Sequence, residues 1–191
     1  MSILTRIFRK KTQEEPVSYE TLRSRAIQEI AKIKKNHQVP VFEAQAWMTP
    51  DGQHIYTNCY AYALNLPIID KEEVLFVPSV ISNRDDIIEP WSDQELVEGV
   101  LRDLDFLGIS HRFDDGKTTC KDGEYRIAIY SAPSFHDWPL GFHFVRQDSN
   151  GEWSEKKSWD GIVQKIGTKG NIPPTYDNGI SLAKVIIVKV F

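Results

Sequence analysis

Two stretches of the chain place apolar residues every three or four positions, which is the spacing that buries one face of an α-helix. In residues 18–36 that face consists of Leu22, Ala26, Ile30 and Ile33. In residues 92–108 it consists of Leu96, Val97, Val100, Leu101, Leu104 and Leu107. Ser92 and Glu95 have the spacing of a capping box, and Gly108 favours a helix end. We therefore predict one amphipathic helix in each stretch.

Beyond residue 120 the pattern changes to short runs rich in β-branched and aromatic residues, which favour strands. These runs are EYRIAIYSA at 124–132, GFHFVRQ at 141–147, EWSEK at 152–156 and AKVIIVKVF at 183–191. The polar turn DSNG at 148–151 separates the second run from the third, and residues 74–80 are a further candidate for a short strand or an extended segment. This order predicts an α+β fold with helices packed on an antiparallel sheet. We predict a single domain over 17–191, after a flexible tail over 1–16.

Composition and charge narrow the classes of function. The chain has 191 residues and a net charge of -4, which argues against a nucleic-acid-binding surface. Its two cysteines, Cys59 and Cys120, cannot form a disulfide framework and are too far apart for a paired metal-ligand motif. Phosphate-binding, dinucleotide-binding and zinc-protease motifs do not occur, so we expect neither a cofactor nor a metal.

The distribution of apolar residues also bears on the location of the protein. Arg6 interrupts the apolar residues near the N-terminus, so residues 1–16 lack the continuous apolar core of a secretory signal. No run approaches the ~18 apolar residues that a membrane-spanning helix needs. We therefore expect no membrane span, and a cytoplasmic protein unless a signal-independent route exports it.

Cys59 opens the short apolar segment CYAYAL, directly after two residues that favour helix caps, Thr57 and Asn58. If either residue caps a helix, the thiol lies in the first turn, where unpaired backbone N–H groups and the helix dipole stabilise a thiolate. The same N–H groups can hold the negative oxygen of a tetrahedral intermediate. The alternative is a small buried core residue, as free cysteines often are. Taken alone, the segment favours this second interpretation.

A thiolate nucleophile needs a base, and His143 is the strongest candidate among the five histidines. It lies inside the predicted strand at 141–147, where alternation places it on the face opposite Phe142 and Phe144. A histidine between two phenylalanines is more often structural than catalytic. The turn after this strand, however, brings Glu155 back alongside, and a polar side chain there can hold the imidazole in its productive tautomer.

The segment NCYAYAL at 58–64 and the hairpin FHFVRQDSNGEWSEK at 142–156 together resemble the papain-like superfamily, and within it the NlpC/P60-type peptidases and amidases. They are similar in particular to an uncharacterised set of bacterial papain-like proteins with an N-C-Y segment and an H-F-x-R-x-D-x-x-G-x-W-S-x-K hairpin. The resemblance covers residues 57–66 and 141–157. It implies a papain-like fold, with the cysteine opening a helix and the histidine on a sheet strand.

The resemblance also implies a role for each matching residue. Cys59 would be the nucleophile, and His143 the general base that later protonates the leaving group. Glu155 would be the orienting third member, with Asp160 as the alternative. The backbone N–H of Cys59 and the side chain of Gln53, six positions earlier, would form the oxyanion hole. The implied reaction is cleavage of a peptide or amide bond through an acyl-enzyme, and the implied partner is a peptide or protein substrate.

Residues near the proposed nucleophile and in predicted loops are candidates for lining the substrate groove. The candidates are His54, Tyr56 and Trp138. Trp47, Trp91 and Trp159 also lie in predicted loops, although a tryptophan there is individually more often a core residue or a cover for the sheet. Nothing in the sequence indicates a catalytic role for the remaining histidines, which we expect in exposed or loop positions. They are His37, His111 and His136.

The sequence is also compatible with three other functions. A thiol acyltransferase would use the same catalytic residues with an amine or alcohol as acceptor instead of water. A non-catalytic protein-binding module would keep the fold while Cys59 is inert. A bacterial effector or toxin would use the same hydrolytic chemistry and would be harmful to the cell that expresses it.

Overall fold

The computed structural model describes residues 19–36, 38–48, 52–53, 57–67, 76–82, 92–132, 141–157, 161–170, 173, 175–176 and 179–190. Its α-helices are α1 (Tyr19–Asn36), α2 (Cys59–Ala63) and α3 (Asp93–Phe106), and a 3₁₀ turn covers Ala44–Trp47. Its strands are β1 (Ser110–Phe113), β2 (Glu124–Ala132), β3 (Gly141–Gln147), β4 (Glu152–Lys156), β5 (Val163–Lys169) and β6 (Ser181–Lys189). The predicted α+β class is confirmed. The predicted tail at 1–16 lies outside the described residues.

The six strands form one sheet in the order β1-β6-β2-β3-β4-β5, and each neighbouring pair is antiparallel. In the register of the central strands, His143 on β3 lies opposite Tyr130 on β2, and Val145 lies opposite Glu155 on β4. Because side chains alternate along a strand, His143, Tyr130, Val145 and Glu155 point to one face of the sheet. The register therefore places His143 and Glu155 close together on neighbouring strands.

The two faces of the sheet bury different clusters. The larger cluster lies on the helix side, where Ile127, Ile129 and Phe144 pack against residues of all three helices. The opposite face buries a smaller cluster, whose fully buried members are Ala128, Tyr130, Val145 and Trp153. The predicted alternation, with Phe142 and Phe144 on one face and His143 on the other, is confirmed.

The two predicted amphipathic helices are confirmed. On α1 the buried apolar residues are Ala26, Ile30 and Ile33, and on α3 they include Leu96, Val100 and Leu104. The hydroxyl of Ser92 caps α3 by accepting a hydrogen bond from the Glu95 N–H at 3.2 Å. Helix α3 ends just before Gly108, whose φ of 62° is a left-handed conformation that glycine adopts without steric cost.

The strands at 124–132, 141–147 and 152–156 have the predicted bounds, and the last strand begins slightly earlier than predicted, at Ser181. Two predictions were wrong, the first of them as regards a strand. Residues 76–80, the described part of the candidate strand at 74–80, form no strand, and residues 78–80 turn, because Pro78 removes a hydrogen-bond donor and Ser79 has a positive φ of 78°. His111 lies on the edge strand β1, paired with β6, and not in a loop.

A buried carboxylate ties α3 to the segment that follows α2. Asp103 on α3 is fully buried and accepts hydrogen bonds from the Tyr60 hydroxyl at 2.9 Å and the Ser79 N–H at 2.8 Å. Its other oxygen accepts from the Ser82 N–H at 2.9 Å and the Ser82 hydroxyl at 2.6 Å. Burial raises the pKa of Asp103, and these hydrogen bonds oppose the rise. Asp103 thus fixes the turn at 78–82 and the residue next to Cys59.

Gly99 lies in α3 where the turn at 78–82 packs against the helix. A Cβ atom there would lie 2.7 Å from the Ser79 Oγ and 3.2 Å from the Pro78 Cβ. Alanine is normally the better helix residue by about 1 kcal/mol, but overpacking costs about 1–3 kcal/mol. We therefore expect Gly99→Ala to lower the free energy of unfolding, measured by urea denaturation. Because Ser79→Gly removes the nearest clashing atom, Gly99→Ala should cost less in that background; an equal cost would contradict the packing explanation.

None of the helices in the described part of the chain is both long enough and apolar enough to span a membrane.

Candidate active site

Helix α2 begins at Cys59, so the thiol lies in its first turn. Asn58 is the N-cap, because its side-chain oxygen accepts a hydrogen bond from the Ala61 N–H at 3.1 Å. The Asn58 amide also donates to the Phe76 carbonyl at 2.5 Å, which fixes the cap against the core. The cap is therefore Asn58 and not the other candidate, Thr57. The backbone N–H of Cys59 has no acceptor within its own helix, as at any helix start.

Buried contacts hold α2 against strands β3 and β4. The Tyr62 hydroxyl and the Ser154 hydroxyl share a hydrogen bond of 2.7 Å. The guanidinium of Arg146 donates to the Tyr62 carbonyl at 3.1 Å and lies 4.0 Å from the centre of the Tyr62 ring. The Tyr60 ring packs on Phe144 with their centres 4.8 Å apart. These contacts fix the position of Cys59 relative to the strands that carry His143 and Glu155.

The structure brings Cys59, His143 and Glu155 together. The Nε2 atom of His143 lies 2.8 Å from the Oε2 atom of Glu155. Cys59 is close enough to His143 to contribute to the raised pKa of its imidazole. Since Nε2 is engaged by the carboxylate, Nδ1 is the ring nitrogen left to interact with the sulfur. The side chains of His143 and Glu155 are only 15% and 4% exposed, so solvent weakens their attraction little.

The two ionisable partners His143 and Glu155 shift each other's pKa in opposite directions. Burial alone would lower the pKa of His143, but hydrogen bonds to Cys59 and Glu155, and the negative charges of both, raise it to about 9. Burial alone would raise the pKa of Glu155, but hydrogen bonds from His143, Tyr176 and Gln164 lower it to about 2. At neutral pH the site therefore contains an imidazolium beside a carboxylate.

Two residues that the sequence did not indicate also contact Glu155. The Tyr176 hydroxyl donates to its Oε2 atom at 2.6 Å, and the Gln164 amide donates to its Oε1 atom at 2.6 Å. Gln164 lies on β5, a strand that was not predicted, and Tyr176 lies in the segment that follows it. Neither has a spacing to Cys59 or His143 that marks it in the sequence, so only the fold reveals the contacts.

The other predicted site residues have different outcomes. Gln53 is exposed, and its role in an oxyanion hole stays a prediction. Trp47 is 3% exposed and packs edge-to-face on Tyr62, as expected of a core residue, and its remaining surface borders a cavity that Glu29 and Ile33 of α1 also line. The predictions outside the described residues concern His54, Tyr56, Trp138, Asp160, His37, His136, Trp91 and Trp159.

The second cysteine, Cys120, lies in a different environment. It is partly buried, and the Arg126 guanidinium donates a hydrogen bond to its sulfur at 3.2 Å. Burial raises the pKa of the Cys120 thiol, although the charge of Arg126 opposes the rise. Within the described residues, no group of three or more histidine, cysteine and carboxylate side chains has a geometry that could hold a metal ion.

Comparison of the chain with protein-family models, with curated proteins and with solved structures found no match in any of the three. The papain-like resemblance therefore stays an expectation based on residues 57–66 and 141–157.

Proposed function

We propose that the protein is a cysteine hydrolase of the papain-like type, a peptidase or amidase, with Cys59 as its nucleophile. The observation that carries the proposal is that His143 is hydrogen-bonded to Glu155 and is also close enough to the Cys59 side chain for the two to interact. Three elements, α2, β3 and β4, each contribute one member. A nucleophile beside a base, and a base oriented by a third group, is the arrangement that covalent catalysis requires.

In the proposed reaction, the Cys59 thiolate attacks the carbonyl carbon of a peptide or amide. The carbonyl electron pair moves to the oxygen, and the Cys59 N–H at the helix start donates a hydrogen bond to that oxyanion. His143 then gives its proton to the leaving amine as the C–N bond breaks, which leaves an acyl-enzyme. Neutral His143 takes a proton from water, and the attack of this water on the thioester releases the acid and restores the thiol.

Glu155 is the third member in this proposal because it accepts the hydrogen bond from His143 Nε2. The carboxylate holds the ring so that Nδ1 faces the sulfur, and it stabilises the imidazolium. Asp160, the alternative, lies outside the described residues, and the proposal does not need it.

An inert core cysteine explains the geometry less well. A small apolar core residue does not need an imidazole as its neighbour, and burying a charged pair such as His143 and Glu155 costs free energy of desolvation. Shifted pKa values with identifiable charge partners are concentrated at functional sites. The cost of burying this pair is therefore better explained if the pair acts on Cys59.

The rate of alkylation of each cysteine tests the proposal. We expect iodoacetamide to label Cys59 at least ~10-fold faster than Cys120 at pH 6, because the proposal places Cys59 beside a cationic imidazole, the environment typical of reactive cysteines. Cys120 is an internal reference, since burial raises its pKa and keeps it a neutral thiol at that pH. Peptide mass spectrometry across a pH series measures both rates in the same sample.

The matched variant is His143→Gln, which removes the base but keeps a polar side chain. Its Cys59 should label at pH 6 no faster than Cys120, while the rate at Cys120 stays the same. Slow labelling of Cys59 in the unaltered protein would contradict the proposal and favour the non-catalytic binding module. Fast labelling of Cys59 without turnover in water, but with turnover when an amine is added, would identify an acyltransferase.

A further inference from the structure

The carboxylate of Glu155 is almost completely buried and receives hydrogen bonds from donors on three sides. Besides His143, these are the Tyr176 hydroxyl on Oε2 and the Gln164 amide on Oε1, both at 2.6 Å. The side chain of Glu155 is 4% exposed. An ionised carboxylate in such a place is stable only if hydrogen bonds replace the water that it has lost.

The ring of Tyr176 is itself held in place. It packs edge-on against the imidazole of His143, with centres 5.5 Å apart and planes at 88°. It also packs edge-on against Tyr130, with centres 5.0 Å apart and planes at 82°. Two perpendicular ring contacts limit the positions that the Tyr176 hydroxyl can take. The hydroxyl is thus directed at Glu155 by the same rings that surround the base.

We propose that Tyr176 and Gln164 are positioning residues that hold the Glu155 carboxylate ionised and aimed at His143. This inference rests on the proposed function, because it assigns the two residues to the same site. Neither residue touches the reacting atoms; both act through Glu155. Gln164 holds Oε1, and Tyr176 shares Oε2 with His143, so rotation of the carboxylate would break one of these bonds.

The groups that face Glu155 and set its charge come from several elements. They are His143 on β3, Gln164 on β5 and Tyr176. Tyr130 on β2 is near enough for the charge of Glu155 to add to the rise that burial causes in the Tyr130 pKa. Burial alone would raise the pKa of Glu155, and the three hydrogen bonds lower it to about 2. Burial, and then the hydrogen bond to Glu155 and its charge, raise the pKa of Tyr176, so the phenol stays a proton donor throughout the usable pH range.

The experiment follows the titration of Glu155 by carbon-13 NMR and of His143 by nitrogen-15 NMR in the full chain. Tyr176→Phe removes only a hydroxyl, and Gln164→Met removes the amide donors with little change in length. We expect each change to raise the Glu155 midpoint by about one pH unit or more, the size expected for losing one hydrogen bond to a charged group. In the double variant the His143 midpoint should fall below about 9 by half a unit or more, because the carboxylate is no longer held against Nε2.

Tyr125→Phe is the matched control, since the buried Tyr125 hydroxyl donates to the Ala63 carbonyl at 3.0 Å and has no contact with Glu155. Tyr125→Phe should lower the free energy of unfolding without shifting the titration midpoint of Glu155 or of His143. Unchanged midpoints in the double variant, or equal shifts in Tyr125→Phe, would overturn the inference. The labelling of Cys59 is measured in parallel. If Cys59 proves inert while the midpoints shift as expected, the proposed function fails and the positioning of Glu155 stands.

Discussion

Replacing Glu155 with glutamine is expected to lower the pH midpoint of His143 ionisation from about 9 by at least one unit. The variant loses the negative charge that favours the imidazolium, while burial of the ring continues to oppose it. A smaller fraction of the protein then has an imidazolium at His143 beside Cys59. If the protein is the proposed hydrolase, turnover should fall by about 10²–10⁴-fold, the range seen when an orienting carboxylate is removed from such a site.

The same variant should change how stability depends on pH. The lowered pKa of Glu155 contributes stability above about pH 4.3, its unfolded value, and the contribution is lost as the pH falls towards 2. The raised pKa of His143 contributes below about pH 6.5, its unfolded value, and the contribution is lost as the pH rises through 9. The difference in melting temperature between the unaltered protein and Glu155→Gln should therefore be largest between about pH 4.5 and 6.5.

Glu152→Gln is the control for both measurements. Glu152 lies on the same strand, but its partner Lys165 is about half exposed, and exposed ion pairs contribute little. We expect Glu152→Gln to leave the His143 midpoint and the rate of Cys59 labelling unchanged. A His143 midpoint that stays near 9 in Glu155→Gln would show that Cys59 alone maintains the imidazolium, and Glu155 would lose its role as the third member.

Replacing Asp103 with alanine should lower the free energy of unfolding by about 3–5 kcal/mol, a large loss for a single substitution. The change leaves the Tyr60 hydroxyl and the N–H groups of Ser79 and Ser82 without their acceptor inside the core. Urea denaturation measures the free energy of unfolding. Because Tyr60 follows Cys59 directly, we also expect the labelling of Cys59 to slow in whatever fraction remains folded.

Two further variants make this prediction specific to Asp103. Asp105→Ala changes the same residue type on the same helix, but the Asp105 side chain is 74% exposed, so the change should stay within about 0.5 kcal/mol. Asp103→Asn keeps one accepting oxygen but turns an N–H₂ group towards one of the backbone donors, so its loss should be intermediate. If Asp103→Ala and Asp105→Ala have the same free energy of unfolding, the buried hydrogen bonds of Asp103 make no net contribution to stability.

Much of the fold could be predicted because the decisive signals are local. Helix α3 has its cap, its apolar face and its stop within one stretch, and β2, β3 and β4 have the bounds that their β-branched and aromatic runs indicated. Strands β1 and β5 were missed, because SHRF and VQKIGTK are short or polar. They are strands because β6 and β4 offer them hydrogen-bonding edges, which is a property of the assembled sheet.

The same distinction applies to the candidate site. His143 and Glu155 belong to one hairpin with a short turn, so their approach follows from strand register, and Cys59 could be singled out by its place after a cap. The partners of Glu155 and Asp103 could not be found in this way. Tyr176 comes from a segment without periodicity, and Asp103 occupies a helix position that the pattern alone does not distinguish from the exposed Asp105.

The sequence by itself determined the α+β class, the helix that opens at Cys59 and the hairpin that carries His143 and Glu155, because caps, alternation and turns act over a few neighbouring residues. The tertiary structure alone decided that the cysteine meets the histidine, and that Tyr176 and Gln164 meet Glu155. Those contacts join residues far apart in the chain. They form only when burial of the core brings distant elements together, and burial also determines how strongly the charges act on each other.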